Sequence, residues 1–212
     1  MVNGTGVPAS KYPALLEHFA SWGFIVIGNE QEFSWQGDGA DASLDYLLHE
    51  NENTSSVFYG KIDTENIGIV GHSQGGVGVF NATTTESHAD LYKAAAALSP
   101  TSETVAGNLN WSYDISAVSI PMLMITGTAE FEVNSVIPYE ELCTMYAKLS
   151  GDKVMARRTG AAHERTLYKA TGYVTAWFMW QLLGDKEAAK AFVGEDAEIL
   201  NNELYQDVDK NF

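Results

Sequence analysis

The residues best suited to chemistry surround a single serine. Ser73 stands between glycines in Gly71-His72-Ser73-Gln74-Gly75, directly after the apolar run 67–70 and before the small-residue stretch 75–80. A Gly-x-Ser-x-Gly run in that context predicts a sharp strand-to-helix turn that lifts the serine hydroxyl above a sheet as a nucleophile. The plainer alternative is an ordinary Gly-rich loop. A serine hydroxyl needs a base, and the base needs an orienting acid, in the chain order serine, acid, histidine. His163 is the only histidine beyond position 88 and lies in the small-residue segment Gly160-Ala161-Ala162-His163. The acid belongs after the apolar run 121–126, which leads into Gly127-Thr128-Ala129-Glu130-Phe131-Glu132. Spacing from the end of that run favours Glu130, with Glu132 second. Asp114 is a weaker candidate because it precedes the run.

These roles require particular elements. Apolar runs of strand length occur at 24–29, 67–72, 94–98, 121–126 and 153–158, and they alternate with helical patterns at 11–22, 40–50, 74–84, 138–149, 171–183 and 185–192. Such alternation predicts an α/β fold, a mostly parallel central sheet with helices on both faces. Trp177 and Trp180 fall at helical spacing and read as packing residues. His18 and His49 fall on helix surfaces, His88 in a loop. His72, beside the serine, is expected to support packing, with its side chain directed elsewhere. The N-terminal Asn3-Gly4-Thr5-Gly6-Val7-Pro8 can bring backbone close to a ligand, because its glycines tolerate unusual dihedral angles. Thr5 N–H and Gln74 N–H are therefore the expected pair of donors to a developing oxyanion.

Composition narrows the function further. The chain has 212 residues and a formal net charge of −16, from 28 acidic and 12 basic residues. That balance disfavours nucleic acid and anionic membranes, which recruit clustered Lys and Arg. The length suits one domain spanning 1–212, with the acidic stretch 194–212 expected to pack loosely. One cysteine excludes an intrachain disulfide, and no apolar run approaches a membrane span. No signal peptide is visible, and no His, Cys or carboxylate spacing suggests a metal. No cofactor is expected.

The segments "NGTG", "LLEHFASWGFIVIGNE", "YGKIDTENIGIVGHSQGGVG", "IPMLMITGTAEFEVN" and "AAHERTLYKATGYVTAWFMWQLLGD" together resemble the α/β-hydrolase family. Within it, they are most similar to bacterial cutinases and polyester (PET) hydrolases, with dienelactone-hydrolase-like enzymes nearby. The resemblance implies Ser73, Glu130 and His163 as the triad and Thr5 and Gln74 as the oxyanion hole. It also implies Gly4, Gly6, Trp111 and Phe131 against the substrate, although Trp111 can equally be a packing residue. It implies secretion. Departures from the family pattern are Glu for the usual Asp, Gln74 for Met, Thr5 for an aromatic residue and the absence of a C-terminal disulfide. The family's first strands are also lacking, and only Met1-Val2 stand where its third would run. The strand at 24–29 is then expected to lose a neighbour, unless a homo-oligomer completes the sheet. Only 20 residues separate Pro100 from Pro121, too few for a helical lid. The expected activity is hydrolysis of short- to medium-chain carboxylic esters, with polyesters such as PET as possible substrates. The rivals are an acyltransferase with the same triad and a non-catalytic binding protein on this scaffold.

Overall fold

A computed structural model describes all 212 residues. Five strands form one sheet in sequence order: β1 (Ile67–His72), β2 (Tyr92–Leu98), β3 (Met122–Gly127), β4 (Lys153–Arg158) and β5 (Tyr205–Lys210). The first four are parallel, and β5 is antiparallel to β4. The helices are α1 (Pro13–Ser21), α2 (Asp38–Glu52), α3 (Gln74–Ala82), α4 (Glu103–Asn108), α5 (Tyr139–Lys148), α6 (His163–Lys169) and α7 (Thr171–Leu183), followed by two single turns.

The alternation of side chains along each strand divides the core in two. Ala94, Ala96, Leu98, Leu123 and Ile125 pack with α1, α6 and α7 on one face. Ala95, Ala97, Met122 and Met124 pack with α2, α3 and α5 on the other. Both faces are buried, which is why the parallel strands read as continuous apolar runs. Trp177 is fully buried, and its indole N–H donates to the Ala95 carbonyl at 3.1 Å. That agrees with its reading as a packing residue.

Two parts of the fold differ from the sequence expectation. Residues 24–29 form no strand. On the outer edge of β1 only Val2 pairs, in a single parallel bridge to Gly71, while the Met1 amino group donates to the Ile27 carbonyl at 2.8 Å. The N–H groups of Ile25, Val26 and Ile27 find no backbone acceptor. An apolar groove of about 270 Å³ runs between that segment and β1. The second difference is the acidic C-terminal stretch, which supplies β5 instead of fraying. Tyr205, Val208 and Phe212 pack against the core, and Arg157 on β4 forms a 2.8 Å ion pair with Asp207.

The turn after β1 depends on absent side chains. A Cβ on Gly71 would lie 2.1 Å from the Gly75 carbonyl oxygen, and one on Gly75 would lie 2.3 Å from the Val2 carbonyl oxygen and 2.5 Å from that of Asn3. These obstacles are backbone atoms, so they yield only by moving the chain. Gly75→Ala is expected to lower stability by about 2 kcal/mol, the usual cost of overpacking a tight site. Urea unfolding measures this, and an unchanged midpoint would show that the Val2-Asn3 segment moves freely.

Candidate active site

The site lies at the C-terminal ends of the parallel strands, where α/β folds place their ligands. Ser73 joins β1 to α3 with φ 59° and ψ −122°, a backbone conformation rare for a residue with a side chain. Its N–H donates to the Leu98 carbonyl at 2.9 Å, and its own carbonyl accepts from Gly76 N–H at 2.9 Å. The strained turn is thereby tied to β2 on one side and to the first turn of α3 on the other. Its Oγ lies 2.8 Å from His163 Nε2.

His163 is the first residue of α6, after the loop that follows β4. That loop is fastened to the one after β3: Gly160 N–H donates to Thr128 Oγ1 at 2.7 Å, and Ala129 N–H to the Ala161 carbonyl at 3.1 Å. The fastening sets the second contact of the imidazole, His163 Nδ1 to Glu132 Oε2 at 2.6 Å. Glu132 is completely buried, and its Oε1 accepts from Gly127 N–H at 3.2 Å. Burial pushes this carboxyl's pKa up, but the hydrogen bond and charge of His163, with the Gly127 N–H, outweigh burial and hold it below its ordinary value.

The acid that reaches His163 is therefore Glu132, not Glu130. Beyond Ala129 the chain turns into a helical coil that becomes a π-helical turn at Glu132–Val136. Residues two apart in a helical coil point to nearly opposite sides. Glu130 consequently faces solvent, and Glu132 faces inward. Counting positions from the strand end presumes an irregular loop, and nothing in the local sequence marks a π-turn. Asp114 serves a different purpose, accepting from Ser116 N–H at 2.9 Å to cap a short turn.

The other expected site residues divide. Gly4, Thr5, Trp111 and Phe131 line, with Ser73 and His163, an open cleft of about 470 Å³. Thr5 N–H has no protein acceptor. Gln74 opens α3, so its N–H also lacks an intrahelical acceptor. Phe131 is 61% exposed and meets the His163 ring edge-on at 5.7 Å between centroids. Gly6 does not line the cleft. It takes φ 67° in the turn and donates its N–H to the Glu32 carbonyl at 2.9 Å.

Several supporting residues carry no motif that would reveal them. The buried Gln74 side chain accepts from Ser34 N–H at 2.8 Å through Oε1, while its Nε2 is unpartnered. Ser34 Oγ donates to the Asn3 carbonyl at 2.5 Å, and Asn3 Nδ2 donates to the carbonyls of Asn29 and Gln31 at 2.7 and 2.9 Å. Tyr12 Oη accepts from Gly4 N–H at 3.2 Å. This buried polar framework holds the Asn3–Val7 turn beside Ser73, which accounts for a glutamine following the serine. His72 is also not directed elsewhere, as the sequence suggested. Its Nε2 lies 2.9 Å from the His163 carbonyl oxygen.

A parallel sheet flanked by helices, with a serine on the strand-to-helix turn and a histidine and a carboxylate on later loops, defines an α/β-hydrolase. A profile of the PET hydrolase-like family matches residues 9–179, and the chain belongs to that family. The family places it among hydrolases of ester substrates. No curated protein matches the chain.

Two outcomes follow from the position of Glu132. Glu132→Gln is expected to lower ester-hydrolysis kcat by about a hundredfold or more, since the amide no longer steadies an imidazolium, whereas Glu130→Gln leaves it within roughly twofold, as for an exposed residue. Steady-state rates of the two variants decide the assignment, and the reverse pattern would restore Glu130. The second outcome concerns acid stability. Because the folded-state pKa of Glu132 lies below the ordinary 4.5, its contribution is present above that value and is lost as pH falls through the folded value. Unfolding free energy measured from neutral pH downward is expected to fall less steeply in Glu132→Gln than in the parent protein.

Proposed function

We propose that the protein is a serine carboxylic-ester hydrolase that works through an acyl-enzyme on Ser73. The supporting observation is the continuous contact Ser73–His163–Glu132, at 2.8 and 2.6 Å, opening onto the cleft. Ser73 Oγ attacks the ester carbonyl carbon as its proton passes to His163 Nε2. Glu132 stabilises the imidazolium so formed. The N–H groups of Thr5 and Gln74 receive the oxyanion. As the tetrahedral intermediate collapses, His163 returns the proton to the departing alkoxide. Water then attacks the acyl-enzyme with His163 again as base, and the acid product leaves with Ser73 restored.

The cleft walls suggest the substrate class. Val105, Leu109, Trp111, Phe131 and Val136 make an apolar surface on which an acyl or aromatic group can rest. Between β2 and β3 the chain forms only α4 and one short turn, so no lid covers the serine. Such a cleft suits short- to medium-chain esters and the accessible chain of a polyester such as PET better than it suits lid-gated lipids.

Hydrolysis of p-nitrophenyl acetate, butyrate and octanoate by the parent protein and Ser73→Ala tests this reading. The parent is expected to favour the short chains and to release a burst of nitrophenol equal to the enzyme present, while Ser73→Ala falls to background. Ester product accumulating in place of free acid when an alcohol is added would favour acyl transfer. Equal background rates in both proteins would refute the hydrolase reading.

A further inference from the structure

His72 is one residue before Ser73, and its imidazole is buried, with 6% of the residue exposed. Its Nε2 lies 2.9 Å from the backbone carbonyl oxygen of His163. A carbonyl only accepts, so that nitrogen carries the proton and donates. The opposite edge of the ring faces the turn beside Ser73: a Cβ built on Gly4 would sit 3.4 Å from His72 Nδ1. The His72 and His163 rings approach to 4.7 Å between centroids, tilted by 38°. His163 is thus held at two points by consecutive residues, at Nε2 by the Ser73 hydroxyl and at its main chain by His72.

We propose that His72 is a positioning residue: through its Nε2–H bond to the His163 carbonyl it holds the base in line between Ser73 and Glu132, and its ring spaces that base from the Gly4-Thr5 turn. The inference rests on the hydrolase reading above and adds to it a residue that borders the cleft but acts through the main chain of His163. His163 opens a helix behind a loop whose bonds to Thr128 and Ala129 end at Gly160 and Ala161, and the His72 bond adds a hold on the His163 carbonyl itself. The interaction also requires His72 to remain neutral, because a second cation would oppose the imidazolium on His163 at ring-contact distance. Burial, reinforced by the nearby His163, drives the His72 pKa down to about 4, so the ring is uncharged near neutral pH. The bond and the neutrality support each other: desolvation removes the charge, and the neutral tautomer still has one N–H for the carbonyl.

The test separates the donor from the ring. His72→Phe keeps a ring of similar size and removes the donor, and His72→Gln removes the ring while keeping an N–H near the position of Nε2. With p-nitrophenyl butyrate, His72→Phe is expected to lower kcat by about tenfold with KM within about twofold, the signature of a misplaced base and an intact cleft. His72→Gln is expected to recover most of that loss. Equal losses in the two variants would overturn the proposal, as would parent-like kcat in a folded His72→Phe, because a mere packing residue would be rescued by the ring. Nitrogen-15 NMR of the parent protein near neutral pH provides a check that needs no variant. A proton on Nε2 of His72 and none on Nδ1 is expected, and the opposite tautomer or a doubly protonated ring would overturn the proposal. Failure of the hydrolase reading would look different: the parent itself would be inactive towards esters, whatever tautomer His72 shows.

Discussion

The turn at Ser73 is the constraint on which the rest of the site depends. A side-chain-bearing residue held at φ 59° costs on the order of 1–3 kcal/mol, and only surrounding structure can maintain it. Here the support is specific. The Leu98 carbonyl at the end of β2 accepts the Ser73 N–H, and the Ser73 carbonyl accepts from Gly76, which begins the ladder of α3. At about 1 kcal/mol each, these two bonds offset much of the strain. Gly71 and Gly75 then let the turn close against itself and against Val2 and Asn3 without collision.

From that turn the site extends along two lines of hydrogen bonds. One runs through Gln74, Ser34 and Asn3 to the turn containing Thr5, and holds that turn beside Ser73. The other runs through His163 to Glu132 and Gly127, and joins the loops after β3 and β4. The second line explains how a carboxylate can be wholly buried in a protein of net charge −16. An isolated buried carboxylate would take up a proton. With the imidazole and a main-chain N–H as partners, Glu132 remains ionised. The two lines meet at the dipeptide His72-Ser73, where Ser73 touches Nε2 of His163 and His72 its main-chain carbonyl.

The same logic accounts for the weak side of the sheet. Beyond β1 the backbone finds only Val2 to pair with, and residues 24–27 stand across an apolar groove instead of joining the ladder. Strand pairing is a property of two segments, and Phe24-Ile25-Val26-Ile27 has strand-like composition but joins no ladder. At the other side β5 ends the sheet with polar and acidic residues, a composition that discourages further pairing.

Much of this was written in the chain itself. The α/β class, β1 through β4 and the pairing of Ser73 with His163 were legible because continuous apolar runs mark doubly buried strands, and because glycines mark a turn that tolerates no side chains. Sequence alone thus determined the fold class, the turn and two of the three contacting side chains. Tertiary structure decided the rest. It selected Glu132 over Glu130 because a helical coil turns residues two apart to opposite sides, a choice made by packing against α6 and β3 and not by local composition. It turned the acidic C-terminal stretch into β5, since the apolar residues there find a core only once β4 is in place. It gave Gln74, Tyr12 and His72 their supporting contacts, which bring together residues from 8 to 91 positions apart. Such contacts leave no periodic trace in a sequence, because each depends on where two distant backbones come to rest.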